Sequence, residues 1–248
     1  MLLNNTYRFY FVFFSFLFFA CASSLYESEE KNPMGEEEQE VEEITETTSL
    51  KILSLGDSYT IGEGVCASCK FPQQLVDSLE SSVAKKYSFP LKIIAKTGWT
   101  TTNLINAIQS QNIDNDFNLV TLLIGVNNQY QGLNFSIYET EFPLLVDIAV
   151  KALSGNKEKL IVVSIPDYAF TPFGNGNTQI SQDILKYNNF ARAYCTNNGI
   201  TFVNITDITQ AGLENPNYVA SDGLHPSKEA YKEFVKRLFP VAIQKLGL

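Results

Sequence analysis

The sequence predicts an α/β domain built on a five-stranded parallel sheet with helices on both faces. From residue 50 onward, five short apolar runs rich in β-branched residues alternate with longer amphipathic stretches. Each run is apolar nearly throughout instead of every second residue, and such strands must be buried on both faces. The chain has 248 residues, 45% hydrophobic and 18% charged, which suits one domain of about 200 residues with length to spare.

The first run is LKILSLG at 50–56, followed by a helix-like segment at 72–87. LKIIAKTG at 91–98 precedes a helix at 101–113, and NLVTLLIG at 118–125 precedes one at 136–153, where Pro143 is expected to kink or restart the helix. KLIVVSIP at 159–166 leads to a helix at 178–198; ITFVNIT at 200–206 is the last strand, and a helix at 227–246 ends the chain. Gly, Pro or Asn bounds every run, which favours strand over helix.

Ahead of this domain stands an apolar block at 9–20, FYFVFFSFLFFA, preceded by Arg8. Twelve residues rise about 18 Å as a helix, short of a bilayer core, so the block reads as the core of a secretion signal at 1–20. Its end, Ala20-Cys21, resembles a bacterial lipoprotein cleavage site. That resemblance implies a lipid on Cys21 and export to the periplasm or the cell surface with membrane attachment; an ordinary cleaved signal with an incidental Cys21 is the other reading. Residues 21–48 read as a disordered acidic spacer, leaving 49–248 for the folded domain.

The net charge of -9 belongs to that spacer. Residues 22–48 hold ten Glu and one Lys, whereas the chain from Ser49 onward holds 17 acidic and 16 basic residues. The acidity therefore says nothing about the domain's substrate, and without a basic patch no nucleic-acid partner is expected.

In parallel sheets, ligands bind beyond the carboxyl ends of the strands. The first run ends in Gly56-Asp57-Ser58-Tyr59-Thr60, the second in Thr97-Gly98-Trp99 and the third in Gly125-Val126-Asn127-Asn128. A serine hydroxyl becomes a useful nucleophile when a base takes its proton and a third group holds that base. The chain contains one histidine, His225, three residues after Asp222 in SDGLHP. A turn through Gly223 brings both side chains to one side, so the carboxylate can hold Nδ1 while Nε2 faces Ser58. The N–H groups of Ser58 and Gly98 and the Asn127 amide can then donate to an oxyanion. No metal or organic cofactor is needed.

GDSYT at 56–60, TGWTT at 97–101, GVNN at 125–128 and DGLHP at 222–226 resemble, in order, the blocks of the SGNH or GDSL hydrolases. The resemblance implies a flavodoxin-like three-layer α/β/α sandwich and ester hydrolysis. It implies Ser58 as nucleophile, Asp222 and His225 as its partners, and Gly98 and Asn127 in the oxyanion hole. Asn128 stands where many members carry Asp, and the GxSxG elbow of the larger α/β hydrolases is absent.

Less reactive readings stand beside these. Ser58 is also suited to capping a helix, and Asp57 to structural hydrogen bonds around that turn. Asp167 in IPDY is a weaker rival for orienting the imidazole than a cap for the loop after it. Cys66 and Cys69 in CASC read as a small disulfide in an exported protein, with redox chemistry second and zinc discounted for want of ligands. Cys195 reads as a buried thiol. Trp99, Tyr59, Tyr130, Tyr168, Phe170 and Phe173 fall at the same edge, to stack on a sugar, line an acyl pocket or pack the loops. The loop at 169–179 reads as a mobile flap or an ordinary connector.

The substrate expected is a small ester, with a glycan or a lipid as candidate alcohol. Two other classes remain: an O-acyltransferase using the same groups, marked by acylated product with excess sugar acceptor, and a non-enzymatic surface lipoprotein, marked by failure to react with a fluorophosphonate.

Overall fold

The computed structural model describes residues 47–83 and 86–248. The expected signal at 1–20, Cys21 and nearly all of the spacer lie outside the described residues. No helix among the described residues is long and apolar enough to cross a membrane.

The strands are β1 (Thr48–Ser49), β2 (Ile52–Gly56), β3 (Tyr87–Ser88), β4 (Leu91–Ala95), β5 (Leu119–Leu123), β6 (Leu160–Val163) and β7 (Thr201–Val203). The helices are α1 (Ser58–Ile61), α2 (Phe71–Ser82), α3 (Thr101–Gln111), α4 (Val126–Tyr130), α5 (Phe135–Ala152), α6 (Thr178–Asn198), α7 (Thr206–Gln210) and α8 (Lys228–Leu246). All five expected strands form one parallel sheet in the order β4-β2-β5-β6-β7. Counting only these five, that is the flavodoxin-like order, which reverses direction between β2 and β5.

Every residue of β2, β5 and β6 is buried. Successive side chains on a strand point to opposite faces, so complete burial demands cover on both. Two helical groups supply it: α2 packs with α8, while α3, α5 and α6 pack in succession. The register keeps the strand ends level, Gly56 standing opposite Ala95 on one side and Leu123 on the other. The loops after β2, β4 and β5 therefore emerge at one height.

Three local expectations are corrected. The helix expected at 72–87 stops at Ser82, and Tyr87–Ser88 pairs instead with Thr48–Ser49, so a strand begins at the end of the stretch read as spacer. Pro143 does not restart the helix, since α5 runs on through it. Its missing N–H deprives the carbonyl of Glu139, an exposed residue that water can serve. Finally α1, α4 and α7 were absent from the sequence reading; at four or five residues each, they are too short to show a helical period.

Candidate active site

The turn after β2 is built around Gly56. A Cβ there would lie 2.1 Å from Thr60 Oγ1 and 2.4 Å from Leu123 O, so only glycine lets α1 fold back this closely. Asp57, not Ser58, caps α1: its Oδ1 accepts from Tyr59 N at 3.0 Å. This leaves the Ser58 hydroxyl uncommitted, with no hydrogen-bond partner within 3.5 Å among the described residues.

The second part lies between β7 and α8. Gly223, at φ +72, turns the chain, and its N–H donates to Ala220 O. Ala220 N donates to His225 O at 2.7 Å, and Ser227 caps α8, so His225 is clamped just before a helix start. Asp222 Oδ1 accepts from Leu224 N and His225 N, both at 2.9 Å, while Oδ2 lies 2.7 Å from His225 Nδ1. Burial tends to raise the Asp222 pKa; the bonds from the His225 backbone and ring and the Leu224 N–H outweigh it and hold the carboxyl below its usual range. Tyr59 packs on the imidazole, ring centres 5.3 Å apart.

Ser58, Gly98, Asn127 and His225 line one cavity of about 160 Å³, and Asp222 sits behind the histidine. Gly98 has φ +83, and a Cβ there would meet nothing within 4 Å, so its backbone faces open space. The Asn127 amide is partly committed: Nδ2 donates to Trp99 O at 3.0 Å and reaches Asp57 Oδ2 only at 3.5 Å. Its second hydrogen is thus weakly held.

Asp57 is fully buried, and burial pushes its carboxyl up to about 7, against the bonds from Tyr59 N–H, its own N–H and Asn127. Between about pH 4 and that value the folded protein holds a proton the unfolded chain has released, so stability falls as pH rises through this window. Asp57→Asn is expected to flatten this slope; urea midpoints at about pH 5 and about pH 8 check it.

Asn128 has a structural explanation. Its Oδ1 accepts from Thr101 N at 3.0 Å and its Nδ2 donates to Thr101 Oγ1 at 2.7 Å, while that hydroxyl donates to Glu141. An Asp could not donate to a hydroxyl whose proton is already given to Glu141. Asn128→Asp is therefore expected to cost about 1–3 kcal/mol, read as a lower urea midpoint.

The remaining expectations resolve as follows. Asp167 Oδ1 caps the turn at Tyr168–Phe170 and Oδ2 accepts from Gln210, so it is a cap. Cys66 and Cys69 form a disulfide, in a loop that packs behind Asp222: a Cβ on Gly64 would lie 2.7 Å from Asp222 Oδ2. No cluster of metal-ligating side chains occurs among the described residues. Cys195 is buried, which pushes its thiol up to about 12. The loop at 169–179 is a bonded connector, with Phe173 N on Gly223 O and Gly176 N on Ala169 O. Of the six aromatic residues, Tyr59, Tyr130 and Tyr168 line the cavity. Trp99, Phe170 and Phe173 do not line it.

The sequence reading missed the packing of Gly64 against Asp222 and the bond from Tyr168 OH to Gln129 Oε1 at 2.7 Å. Both join segments far apart in sequence with no motif of their own.

A doubly wound parallel sheet carrying these groups at its switch point has the architecture of an acyl hydrolase. The chain belongs to the GDSL-like lipase/acylhydrolase family, whose sequence profile matches residues 54–233. Among solved structures, a member of the lipolytic protein G-D-S-L family from Veillonella parvula DSM 2008 superposes with a TM-score of 0.60 at 17% identity, over 77% of this chain and 97% of that one. A lipase/acylhydrolase from Enterococcus faecalis gives 0.61 at 16% identity, covering 80% and 96%. An acetyl xylan esterase from Geobacillus stearothermophilus gives 0.59 at 19% identity, covering 82% and 97%. At these identities the likeness is one of fold. No curated protein sequence matches the chain significantly.

Proposed function

We propose that the protein is an exported serine esterase that cleaves small esters through an acyl-enzyme on Ser58. Ser58 Oγ attacks the ester carbonyl carbon and its proton passes to His225 Nε2. The Ser58 and Gly98 N–H groups, with the weakly held second hydrogen of the Asn127 amide, hold the oxyanion. The imidazolium, steadied by Asp222, returns its proton to the alcohol oxygen as the C–O bond breaks. A water then gives its proton to His225 and attacks the acyl carbon, releasing the acid and restoring Ser58.

The observation that carries this reading is the 2.7 Å contact between Asp222 Oδ2 and His225 Nδ1 in a turn whose imidazole shares a cavity with Ser58. The cavity of about 160 Å³ favours a short acyl group such as acetyl. On this reading a lipid on Cys21 tethers the domain outside the bacterial membrane.

A fluorophosphonate is expected to stop p-nitrophenyl acetate hydrolysis and to leave its phosphonyl mass on the peptide containing Ser58. An unmodified Ser58 in a fully treated sample would overturn the assignment.

A further inference from the structure

Five large hydrophobic side chains are exposed among the described residues, and the two aromatic ones, Tyr130 at 55% and Phe173 at 53%, are neighbours with ring centres 6.0 Å apart. Both pack on Tyr168, at 6.1 and 6.3 Å. Tyr168 is buried and donates its hydroxyl to Gln129 Oε1 at 2.7 Å, and Gln129 Nε2 in turn donates to Asp183 at 3.2 Å. The two exposed rings therefore stand on an anchored third ring.

Their position links them to the site. Tyr130 and Tyr168 line the cavity that holds Ser58 and His225, and Phe173 N donates to Gly223 O in the Asp222–His225 turn at 3.0 Å. Next along the chain from Tyr130, Gln131 Nε2 donates to Gly98 O at 2.9 Å, leaving its Oε1 without a protein partner among the described residues.

We propose that Tyr130 and Phe173 form a stacking platform for a pyranose ring, so that the alcohol part of the natural ester is a sugar. This rests on the esterase reading, because it seats the group on the far side of the bond that Ser58 attacks. A pyranose presents a face of C–H bonds that matches the negative face of an aromatic ring, and an edge of hydroxyls that can reach a carboxamide. The observations favour a sugar over a lipid: the cavity is small, both rings are more than half exposed with Tyr130 on the cavity's lining, and Gln131, bonded to Gly98, keeps a free carbonyl. A long acyl chain would need an enclosed apolar channel.

The test compares kcat/KM for acetylated xylobiose, ethyl acetate and ethyl octanoate. In Phe173→Ala and in Tyr130→Ala, the ratio of acetylated xylobiose to ethyl acetate is expected to fall on the order of tenfold, and in Phe173→Tyr and Tyr130→Phe to recover. A binding readout independent of turnover accompanies it: saturation-transfer NMR of acetylated xylobiose with Ser58→Ala, alone and combined with Phe173→Ala. Transfer to the sugar ring protons that Phe173→Ala abolishes supports the platform even if the parent protein hydrolyses no ester, a result that would sink the esterase reading alone. Absence of transfer in Ser58→Ala, equal losses on all three esters, or a loss confined to ethyl octanoate would overturn the platform.

Discussion

Ser58→Ala is expected to lower kcat for p-nitrophenyl acetate by about 10⁵-fold or more while leaving the fold intact. The size follows from removing the atom that forms the acyl-enzyme, after which His225 and the oxyanion donors have no nucleophile to serve. The fold should survive for separate reasons. Asp57 caps α1, so the substitution removes no cap, and the Ser58 hydroxyl has no hydrogen-bond partner among the described residues to leave orphaned. Alanine also suits a helix better than serine. The urea midpoint should correspond to a change within about 0.5 kcal/mol. Turnover within about tenfold of the parent would show that another group attacks the ester.

Asp222→Asn is expected to lower kcat by about 10³–10⁴-fold. The asparagine oxygen can still accept from the Leu224 and His225 N–H groups that Asp222 Oδ1 now serves, so the turn should persist. The amide that replaces Oδ2 presents hydrogens to His225 Nδ1, which must then be the unprotonated nitrogen. The proton moves to Nε2, where the imidazole can no longer accept one from Ser58. Because the same hydrogen bonds hold the Asp222 pKa below its usual range, the carboxylate stays ionised at mildly acid pH. Its contribution to stability is present above about pH 4 and is lost as pH falls through its folded pKa. Measuring kcat with thermal unfolding of the same sample separates the two effects. A variant near parental activity would remove Asp222 from the mechanism, and Asp167 could not replace it, being committed to Ala169 and Gln210.

Much of the fold was legible because the physics that makes it is local. A strand buried on both faces must be largely apolar, so the fully buried β2, β5 and β6 stand out as nearly continuous apolar runs, and the half-buried edge strands β4 and β7 still carry enough β-branched residues to be read. The helices that cover them were legible by length, and only the end of α2 was misplaced, where pairing with Thr48–Ser49 competes with a helical turn. Ser58, Gly98 and Asn127 were legible because each follows a strand, and His225 with Asp222 because a single histidine leaves no choice of base. Less legible were contacts between side chains brought together from distant segments. The Asn127 amide donates to Trp99 O, 28 residues away, a choice no motif records.

The amino-acid order alone determined the parallel α/β architecture and the residues at its strand ends, since burial on both faces and the turn chemistry of Gly56, Gly98 and Gly223 are written locally. It also determined the pairing of Asp222 with His225, three positions apart on one turn. Only the tertiary structure decided that Asp57 takes the cap and frees Ser58, that Asn128 is an amide answering Thr101 and Glu141, and that Tyr130 and Phe173 meet on Tyr168 at the cavity mouth. These depend on distances between segments such as those of Asn128 and Thr101, 27 residues apart, and of Thr101 and Glu141, 40 apart, or on which of two neighbours reaches an N–H first. Such outcomes are settled by packing the layers together, which no stretch of sequence encodes by itself.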